Sequence, residues 1–173
     1  MNAAPPEASG VLYVHSAPAA MAPHVEWAVE RVLGRRLVWA WGRQPVAPGT
    51  LRAVVCWQGR PGVAGRLASV LREWERLRFE VTEDAGPHGT GDRYAWTPRL
   101  GMFHAATAGN GDLVVGEEQL RAALDRAASG DVELPQECAR LLGEAWDREL
   151  EAFRAAADLD EGAASVRWLH EVG

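Results

Sequence analysis

The sequence contains no lysine and no isoleucine, and its asparagines are limited to Asn2 and Asn110. All 18 basic residues are therefore arginine. The codons of the missing residue types are rich in A and T. We therefore interpret these absences as the composition of a GC-rich bacterial genome and not as a sign of function.

Cysteine is scarce, and long apolar runs are absent. Cys56 and Cys138 stand far apart, without the spacing that is typical of a zinc site or a disulfide framework. No apolar run approaches the roughly 20 residues that cross a bilayer, and no Arg-led apolar segment opens the chain. These absences predict a cytoplasmic, soluble protein that has no membrane partner, no bound metal and no cofactor.

The charge balance disfavours one class of partner. The formal net charge is −6, whereas proteins that bind the phosphate backbone of nucleic acids usually carry a basic face. Arginines cluster at 31–36 and at 72–78, but acidic residues are interleaved in the second cluster. A solvated helical face is the better interpretation of that cluster, so a nucleic-acid partner is not expected.

The first half of the chain has the clearest pattern of secondary structure. Between residues 11 and 84, apolar runs and amphipathic stripes follow in the order strand, helix, strand, strand, helix, strand. This order predicts a ferredoxin-like βαββαβ unit within an α+β fold. The predicted strands cover residues 11–15, 37–41, 51–57 and 78–82, and the helices between them begin at Pro23 and Val63.

The second half predicts an appended β-hairpin and C-terminal helices. Asn110-Gly111 is a strong hairpin signal, so Leu113–Val115 should pair with Met102–Thr107. A helix is expected over 117–128, and either one longer helix or a broken pair over 134–154, where Gly143 could introduce a kink; a last strand is expected over 166–170. We therefore expect a flexible arm at 1–9 and a single domain at 10–173, in which residues 92–171 pack on the ferredoxin-like unit of 10–84.

One strand suggests how the two halves meet. The strand over 51–57 is apolar at successive positions, which indicates burial on both faces. The two helices of a ferredoxin-like unit cover only one face of its sheet. We expect the second half of the chain, and not a partner subunit, to cover the other face.

Three residues form the candidate ligand site. His15 ends the first strand, and His24 and Glu26 lie in the first turn of the helix that follows. Backbone N–H groups at such a junction can point at a ligand, and a His pair with a carboxylate could act as acid and base. The competing interpretation is that His24 and Glu26 are ordinary surface residues, with Glu26 complementing the helix dipole.

Two other motifs have structural explanations that we prefer. Gly59-Arg60-Pro61-Gly62 precedes a helix and could hold an anion, but it lacks the Gly-Lys-Ser/Thr of a P-loop. Eight tryptophans are many for 173 residues, and several flank the predicted sheet, as in base-stacking RNA modules. The signature of those modules is absent from the third strand, so core packing is the better interpretation.

Several segments resemble one known family. They are Gly10-Val-Leu-Tyr-Val-His-Ser-Ala-Pro18, Pro23-His-Val-Glu-Trp-Ala28 and Val166-Arg-Trp-Leu-His170. The sequence is similar, from Gly10 to Gly173, to an actinobacterial family catalogued as a domain of unknown function. The resemblance implies an actinobacterial cytoplasmic protein of this size, and it implies no activity, cofactor or site.

The sequence favours a non-enzymatic binding or regulatory module that takes a small ligand or a protein partner. The alternative is a small enzyme that uses His15, His24 and Glu26, and a nucleic-acid binder is the third hypothesis. A cavity where several histidines converge would favour the enzyme. An open apolar groove, or one with arginines at its rim, would favour the binding module.

Overall fold

An antiparallel sheet of seven strands forms the centre of the part of the chain that this computed structural model describes, residues 8–86 and 89–156. The strands are β1 (Ala8–Pro18), β2 (Gly42–Arg43), β3 (Thr50–Gly59), β4 (Arg78–Glu83), β5 (Gly91–Thr97), β6 (Gly101–Thr107) and β7 (Leu113–Val114). Their order across the sheet is β2-β3-β1-β4-β5-β6-β7, and every neighbouring pair is antiparallel. The long strand β1 therefore lies between β3 and β4.

The helices begin and end largely where local signals predict. They are α1 (Ala22–Leu33), α2 (Val63–Leu71), α3 (Glu117–Ala128), α4 (Leu134–Leu141) and α5, which covers the described residues 144–156. Pro23 lies in the first turn of α1, and Gly34 ends the helix with φ of 71°, as expected for a left-handed C-cap. None of the described helices combines the length and the apolar content that crossing a membrane requires.

The main core lies between the sheet and helices α1 and α2. Leu12 and Val14 of β1 pack there with Val25 and Val29 of α1. Leu67 and Leu71 of α2 are fully buried in the same cluster. Of six positions expected to be buried together (Val14, Val29, Val54, Val55, Leu67 and Leu71), five are buried, but the prediction for Val54 is wrong because it is 52% exposed.

The opposite face of the sheet is only partly covered. Leu150 of α5 packs against Ala95 and Phe103, so α5 covers β5 and β6, which themselves belong to the second half of the chain. Val54 and Cys56 of β3 are exposed, so burial of β3 on both faces is not observed among the described residues. The apolar run over 51–57 indicated a strand correctly, but it did not indicate how far the covering helix extends.

The ferredoxin-like unit is not confirmed. Residues 37–41 form no strand; instead, Trp39 and Trp41 stack with ring centroids 5.3 Å apart and pack against the main core. The antiparallel pairing of β3 with β1 is the one that a ferredoxin-like unit requires, but in place of a full second strand only Gly42 and Arg43 pair with β3. What the structure does support is a mixed fold of helices on one antiparallel sheet.

The appended elements follow the predictions more closely. Strands β6 and β7 pair across the Asn110-Gly111 turn, and Gly111 has φ of 88°, which confirms the hairpin. Gly143 separates α4 from α5 with φ of 71°, so the structure has the broken pair of the two alternatives considered for residues 134–154. Ala8 and Ser9 belong to β1 and not to an arm; residues 1–7 and the predicted strand over 166–170 lie outside the described residues.

Candidate functional site

The candidate site lies on the face of the sheet that points away from α1 and α2. Side chains alternate along a strand, so Tyr13 and His15 project from the face opposite to Leu12 and Val14. The register places Glu80 of β4 beside Tyr13 and Arg93 of β5 beside Thr82. Three neighbouring strands therefore present polar side chains on the same face.

Glu80 is the centre of this polar cluster. It accepts a hydrogen bond from Nε2 of His15 at 2.7 Å. It also accepts from Nη2 of Arg93 at 2.7 Å and from Nη2 of Arg154 on α5 at 2.7 Å. Asp147 of α5 accepts from both arginines. The cluster thus joins β1, β4, β5 and α5 through polar and charged groups, of which His15 and Glu80 are buried and the other three are half-buried.

The charges of the cluster keep Glu80 ionised. Burial alone would raise its pKa, but the hydrogen bonds from His15 and Arg154, together with their positive charge, outweigh burial and hold the pKa well below 4.5. An ionised carboxylate can only accept hydrogen bonds, so Nε2 of His15 carries the proton in this contact. The carboxylates of Asp147 and Glu80 raise the pKa of Arg93, although the burial of Arg93 alone would lower it.

A cleft of about 760 Å³ opens beside this cluster. Its lining includes the polar groups His15, Glu80, Arg93, Asp147 and Arg154, together with Tyr13, Val14, Gln44, Arg52, Ala53, Val54, Thr82, Gly111, Leu113 and Phe153. The Tyr13 and His15 rings lie 6.0 Å apart with only 8° between their planes. The cleft therefore combines an apolar floor with one charged end.

The charged end offers more donors than acceptors. The two oxygens of Glu80 already accept five hydrogen bonds, from His15, Arg93 and Arg154. In contrast, Nη1 of Arg154 makes only an ion pair with the exposed Glu151 at 3.6 Å, which is longer than a hydrogen bond, so its two N–H groups make no hydrogen bond to the described residues. The N–H groups that lack a hydrogen-bond acceptor at this end therefore favour a ligand that carries acceptors.

Gln44 fixes the wall of the cleft where β1 ends. This side chain is buried. Its Nε2 donates to the carbonyl oxygen of His15 at 2.8 Å and to that of Phe153 at 3.5 Å, while its Oε1 accepts from the amide of Val46. Gln44 thereby ties the strand that carries His15 to the helix that carries Arg154.

The structure does not bring the three predicted site residues into this cleft together. His15 lines the cleft and is 7% exposed. His24 is exposed on α1, and Glu26 of the same helix accepts a hydrogen bond from Nε1 of Trp41 at 2.6 Å. Neither His24 nor Glu26 lines the cleft, because α1 packs on the other face of the sheet.

The glycine-rich turn before α2 holds an anion, but one that the chain itself supplies. Glu83 of β4 accepts hydrogen bonds from the amides of Gly62 at 2.8 Å and Ala64 at 3.1 Å. A carboxylate at this position satisfies the free N–H groups of a helix N-terminus. The turn is therefore explained by the fold, in agreement with the structural interpretation of these glycines.

Sequence reasoning missed Glu80, Arg93, Asp147 and Arg154. The segment Arg78-Phe-Glu-Val-Thr82 alternates cleanly and predicted a half-exposed strand, yet Glu80 is buried. The one available signal was a carboxylate in a strand whose neighbours are apolar, and it gave no hint of the distant arginines. Among the described residues, no group of three or more His, Cys, Asp or Glu could hold a metal ion.

Comparison with known proteins identifies a family but no activity. A family model described as a protein of unknown function (DUF3145) matches residues 11–171. No curated protein and no solved structure matches the chain. The match confirms the predicted resemblance at the level of a family of unknown function, while the actinobacterial origin stays a prediction.

Proposed function

The chain belongs to the DUF3145 family of proteins of unknown function, and we propose that it is a binding module without catalytic activity. The ligand of its cleft is a small organic anion with a flat apolar body. The observation that carries this proposal is the surplus of N–H donors, centred on Arg154, beside an apolar floor. This interpretation keeps His15 as a ligand-binding residue and replaces His24 and Glu26 with residues of the sheet and of α5.

The shape of the cleft supports a flat ligand. The rings of Tyr13 and His15 are nearly parallel, and they line the cleft together with Val54 and Phe153. Flat apolar groups bind such surfaces by offset stacking and by burial of apolar area. The volume of about 760 Å³ lies within the range of small-molecule sites, about 300–1,000 Å³.

The charge of the ligand follows from the hydrogen-bonding inventory. A neutral amide would offer donors that Glu80 has no capacity to accept. A carboxylate or a phosphate would instead accept from Nη1 of Arg154 and from the Tyr13 hydroxyl, which makes no hydrogen bond to the described residues. Hydrogen bonds to charged groups contribute about 1.5–3 kcal/mol, so an anion should bind about tenfold or more tightly than its neutral analogue.

A matched pair of probes tests this proposal. 2-Naphthoate and 2-naphthamide have the same ring system and differ in charge, and amide correlation spectra of the protein report where each one binds. We expect 2-naphthoate to shift the amide signals of Tyr13, Val54 and Arg154, and 2-naphthamide to bind about tenfold more weakly. Equal affinity for the two probes would contradict the proposed preference for an anionic ligand. Unchanged amide signals with both probes would contradict the proposed binding site itself.

Two variants show whether 2-naphthoate binds in the cleft. Val54→Glu adds a negative charge at an exposed position of the floor and should abolish 2-naphthoate binding without unfolding the protein. Trp27→Ala changes a side chain of α1 that is 60% exposed on the other face of the sheet, and it should leave binding unchanged. An equal loss in both variants would place the probe outside the cleft.

A small enzyme is the second candidate, and one contact favours it. The 2.7 Å contact between His15 and Glu80 has the geometry in which a carboxylate orients a catalytic histidine. Two considerations weigh against it: both oxygens of Glu80 are already occupied by guanidinium groups, and the lining contains no serine or cysteine nucleophile. Turnover of a bound probe that His15→Gln abolished would favour the enzyme.

We also propose that the protein is actinobacterial and acts in the cytoplasm. The lysine-free composition, with 18 arginines, supports a GC-rich bacterial genome. Fractionation of the native host, with detection by an antibody, tests the location. Recovery of the protein from the culture medium or the membrane pellet would contradict it.

A further inference from the structure

The outer edge of β3 is open over most of its length in the described part of the chain. Strand β2 pairs with β3 only at Leu51 and Arg52, whereas β1 pairs with β3 as far as Gly59. Beyond Arg52, the backbone groups of β3 that point away from β1 therefore have no strand beside them. An open edge of this kind is a template on which another length of chain can pair.

The alternation along β3 identifies these backbone groups. The amide of Gln44 donates to the carbonyl oxygen of Thr50 at 3.1 Å, so Thr50 directs its carbonyl group away from β1. Every second residue of an antiparallel strand points to the same side. The backbone groups of Val54, Cys56 and Gln58 therefore point to the open edge, and they have no hydrogen-bond partner among the described residues.

The segment Leu37–Trp41, here called the strap, leads directly into β2 and lies in line with this edge. Gly42 of β2 is opposite Arg52 of β3. An antiparallel register that continues past this pair moves forward along β3 as it moves back along the strap. The continued register places Trp41 opposite Ala53, Ala40 opposite Val54, Trp39 opposite Val55, Val38 opposite Cys56 and Leu37 opposite Trp57.

The side chains of the strap already lie on the faces that this pairing requires. Trp39 is half-buried against the main core, and Val55, which would be opposite, is buried. Val38 is 93% exposed, and Cys56, which would be opposite, is exposed as well. Because directly opposite residues of paired strands share a face, the pairing requires new backbone hydrogen bonds but no exchange of buried and exposed side chains.

Two carboxylates of α1 hold the strap in its unpaired position. Glu30 accepts a hydrogen bond from the amide of Leu37 at 2.9 Å, and Glu26 accepts one from Nε1 of Trp41 at 2.6 Å. Between these two contacts, the backbone groups of residues 38–40 have no hydrogen-bond partner in the described part of the chain. Donors and acceptors without partners are therefore present on both the strap and the edge that it would pair with.

We propose that the strap pairs with the outer edge of β3, in exchange with the position in which α1 holds it, and so opens and closes this edge to other chains. A second copy of the protein would lose translational and rotational freedom on pairing there. The strap is joined directly to β2, so its pairing extends an existing strand without closing a loop. The inference is independent of the proposed function, because the described lining of the cleft includes neither the strap nor Cys56.

Hydrogen exchange of single amides tests the pairing. In the paired state, the amides of Val54 and Cys56 donate to carbonyl oxygens of the strap. If the strap is paired nine-tenths of the time, their exchange should be about tenfold slower than that of free amides. The amide of Val55 points to β1 in both states and is the internal control. Exchange of Val54 and Cys56 at the rates of free amides would overturn the proposal.

A contact between backbone hydrogens gives an independent sign of the pairing. Trp39 and Val55 would form a pair without hydrogen bonds between them, in which the two backbones approach most closely. We therefore expect a nuclear Overhauser effect between the Hα atoms of Trp39 and Val55. Slow exchange of Cys56 without this effect would show that something other than the strap covers the edge, and it would overturn the proposal.

Proline substitutions in the strap should break the pairing and leave the core unchanged. Val38 and Ala40 are exposed, and Val38→Pro and Ala40→Pro each remove an N–H that would point to β3. Both variants should return Cys56 to the exchange rate of a free amide, about tenfold faster than in the parent chain. Val38→Thr keeps the N–H and should leave the rate unchanged. Slow exchange at Val55 in every variant shows that β3 still pairs with β1, and unchanged slow exchange at Cys56 in both proline variants would overturn the proposal.

Releasing the strap from α1 should have the opposite effect. Glu30→Ala removes the acceptor for the amide of Leu37, so it should shift the population to the paired state and slow the exchange at Cys56 by about twofold or more. An unchanged rate would overturn the exchange between the two positions. The same measurement at two protein concentrations tests for the other occupant of the edge: we expect equal rates, and slower exchange at the higher concentration would identify a second copy in place of the strap.

Discussion

Nε2 of His15 lies 2.7 Å from Oε2 of Glu80, although 65 residues separate them along the chain. Each of these side chains is 8% exposed, so the contact is shielded from water. Glu80 also binds Arg154 of α5, and this makes the position of the histidine depend on the docking of a helix from the other half of the chain. The geometry of the cleft is therefore set by Glu80 more than by the residues that immediately surround His15.

Replacing Glu80 with glutamine should destabilise the fold by about 3 kcal/mol at pH 7. The reason is that Arg93 and Arg154 would lose the buried carboxylate that they share. The pKa of Glu80 in the folded protein lies below its ordinary value of 4.5, so its contribution is fully present above that value and is lost as the pH falls through the lower folded pKa. Urea denaturation of both proteins between pH 3 and 8 measures this contribution.

The difference in unfolding free energy between the parent chain and Glu80→Gln should stay constant above about pH 5 and narrow in acid. Glu144→Gln is a suitable control, because Glu144 is exposed and lies 3.9 Å from Arg148. That variant should differ from the parent by less than about 0.5 kcal/mol at every pH. A Glu80→Gln difference that does not change with pH would show that the carboxylate charge contributes nothing to stability.

Shortening buried leucine side chains of α2 should show which face of the sheet contains the core. Leu67 and Leu71 are fully buried against β1 and β4, so Leu67→Ala and Leu71→Ala should each cost about 2–5 kcal/mol. Val54→Ala is the matched control on the open face and should cost less than about 0.5 kcal/mol. Thermal and urea denaturation check these values, and a large loss at Val54 would mean that this position of β3 is buried in solution.

Gly143 should tolerate no side chain. Its φ is 71°, and an added Cβ would lie 2.6 Å from the Phe103 ring. Gly130 has a similar φ of 81° but open space around it, so Gly130→Ala measures the backbone penalty alone, about 1–2 kcal/mol. Gly143→Ala should cost at least about 1 kcal/mol more, since overpacking adds to that penalty. Equal losses at the two positions would mean that α5 does not press against Phe103.

The sequence predicts those features of the fold that depend on residues close together along the chain, such as helix ends and turns. Pro23 and Gly34 mark the ends of α1, and Asn110-Gly111 marks the β6–β7 turn, because each signal acts within one turn of chain. The run Leu37-Val-Trp-Ala-Trp41 has strand propensity but forms no strand, since stacking of Trp39 on Trp41 gives its side chains another way to be buried; strand propensity depends strongly on such context. Sequence reasoning therefore failed where contacts between distant residues decide the conformation.

The candidate site was also predictable from the sequence only in part. His15 could be chosen because it ends an apolar strand, and the structure does place it in the cleft. Its partners could not be chosen, since they come from residues 80, 93, 147 and 154 on three other elements. The sequence brings His24 and Glu26 close to His15 along the chain, but the sheet separates them, because a strand and the helix that packs on it present side chains to different sides.

The last prediction separates His15 from His24. His15→Ala removes a buried ring that stacks on Tyr13 and donates a hydrogen bond to Glu80, so it should lower the unfolding free energy by about 1–3 kcal/mol and abolish 2-naphthoate binding. His24→Ala changes an exposed side chain of α1 and should alter stability by less than about 0.5 kcal/mol, with the Kd for 2-naphthoate unchanged. Urea denaturation and titration by amide correlation spectra measure both quantities on the same samples.

His15→Gln serves as a rescue variant, because its amide can still donate to Glu80. It should recover part of the stability but not the flat stacking surface. Loss of probe binding in His24→Ala would instead support the site first expected at the junction of β1 and α1, and unchanged binding in His15→Ala would show that the histidine supports the fold alone.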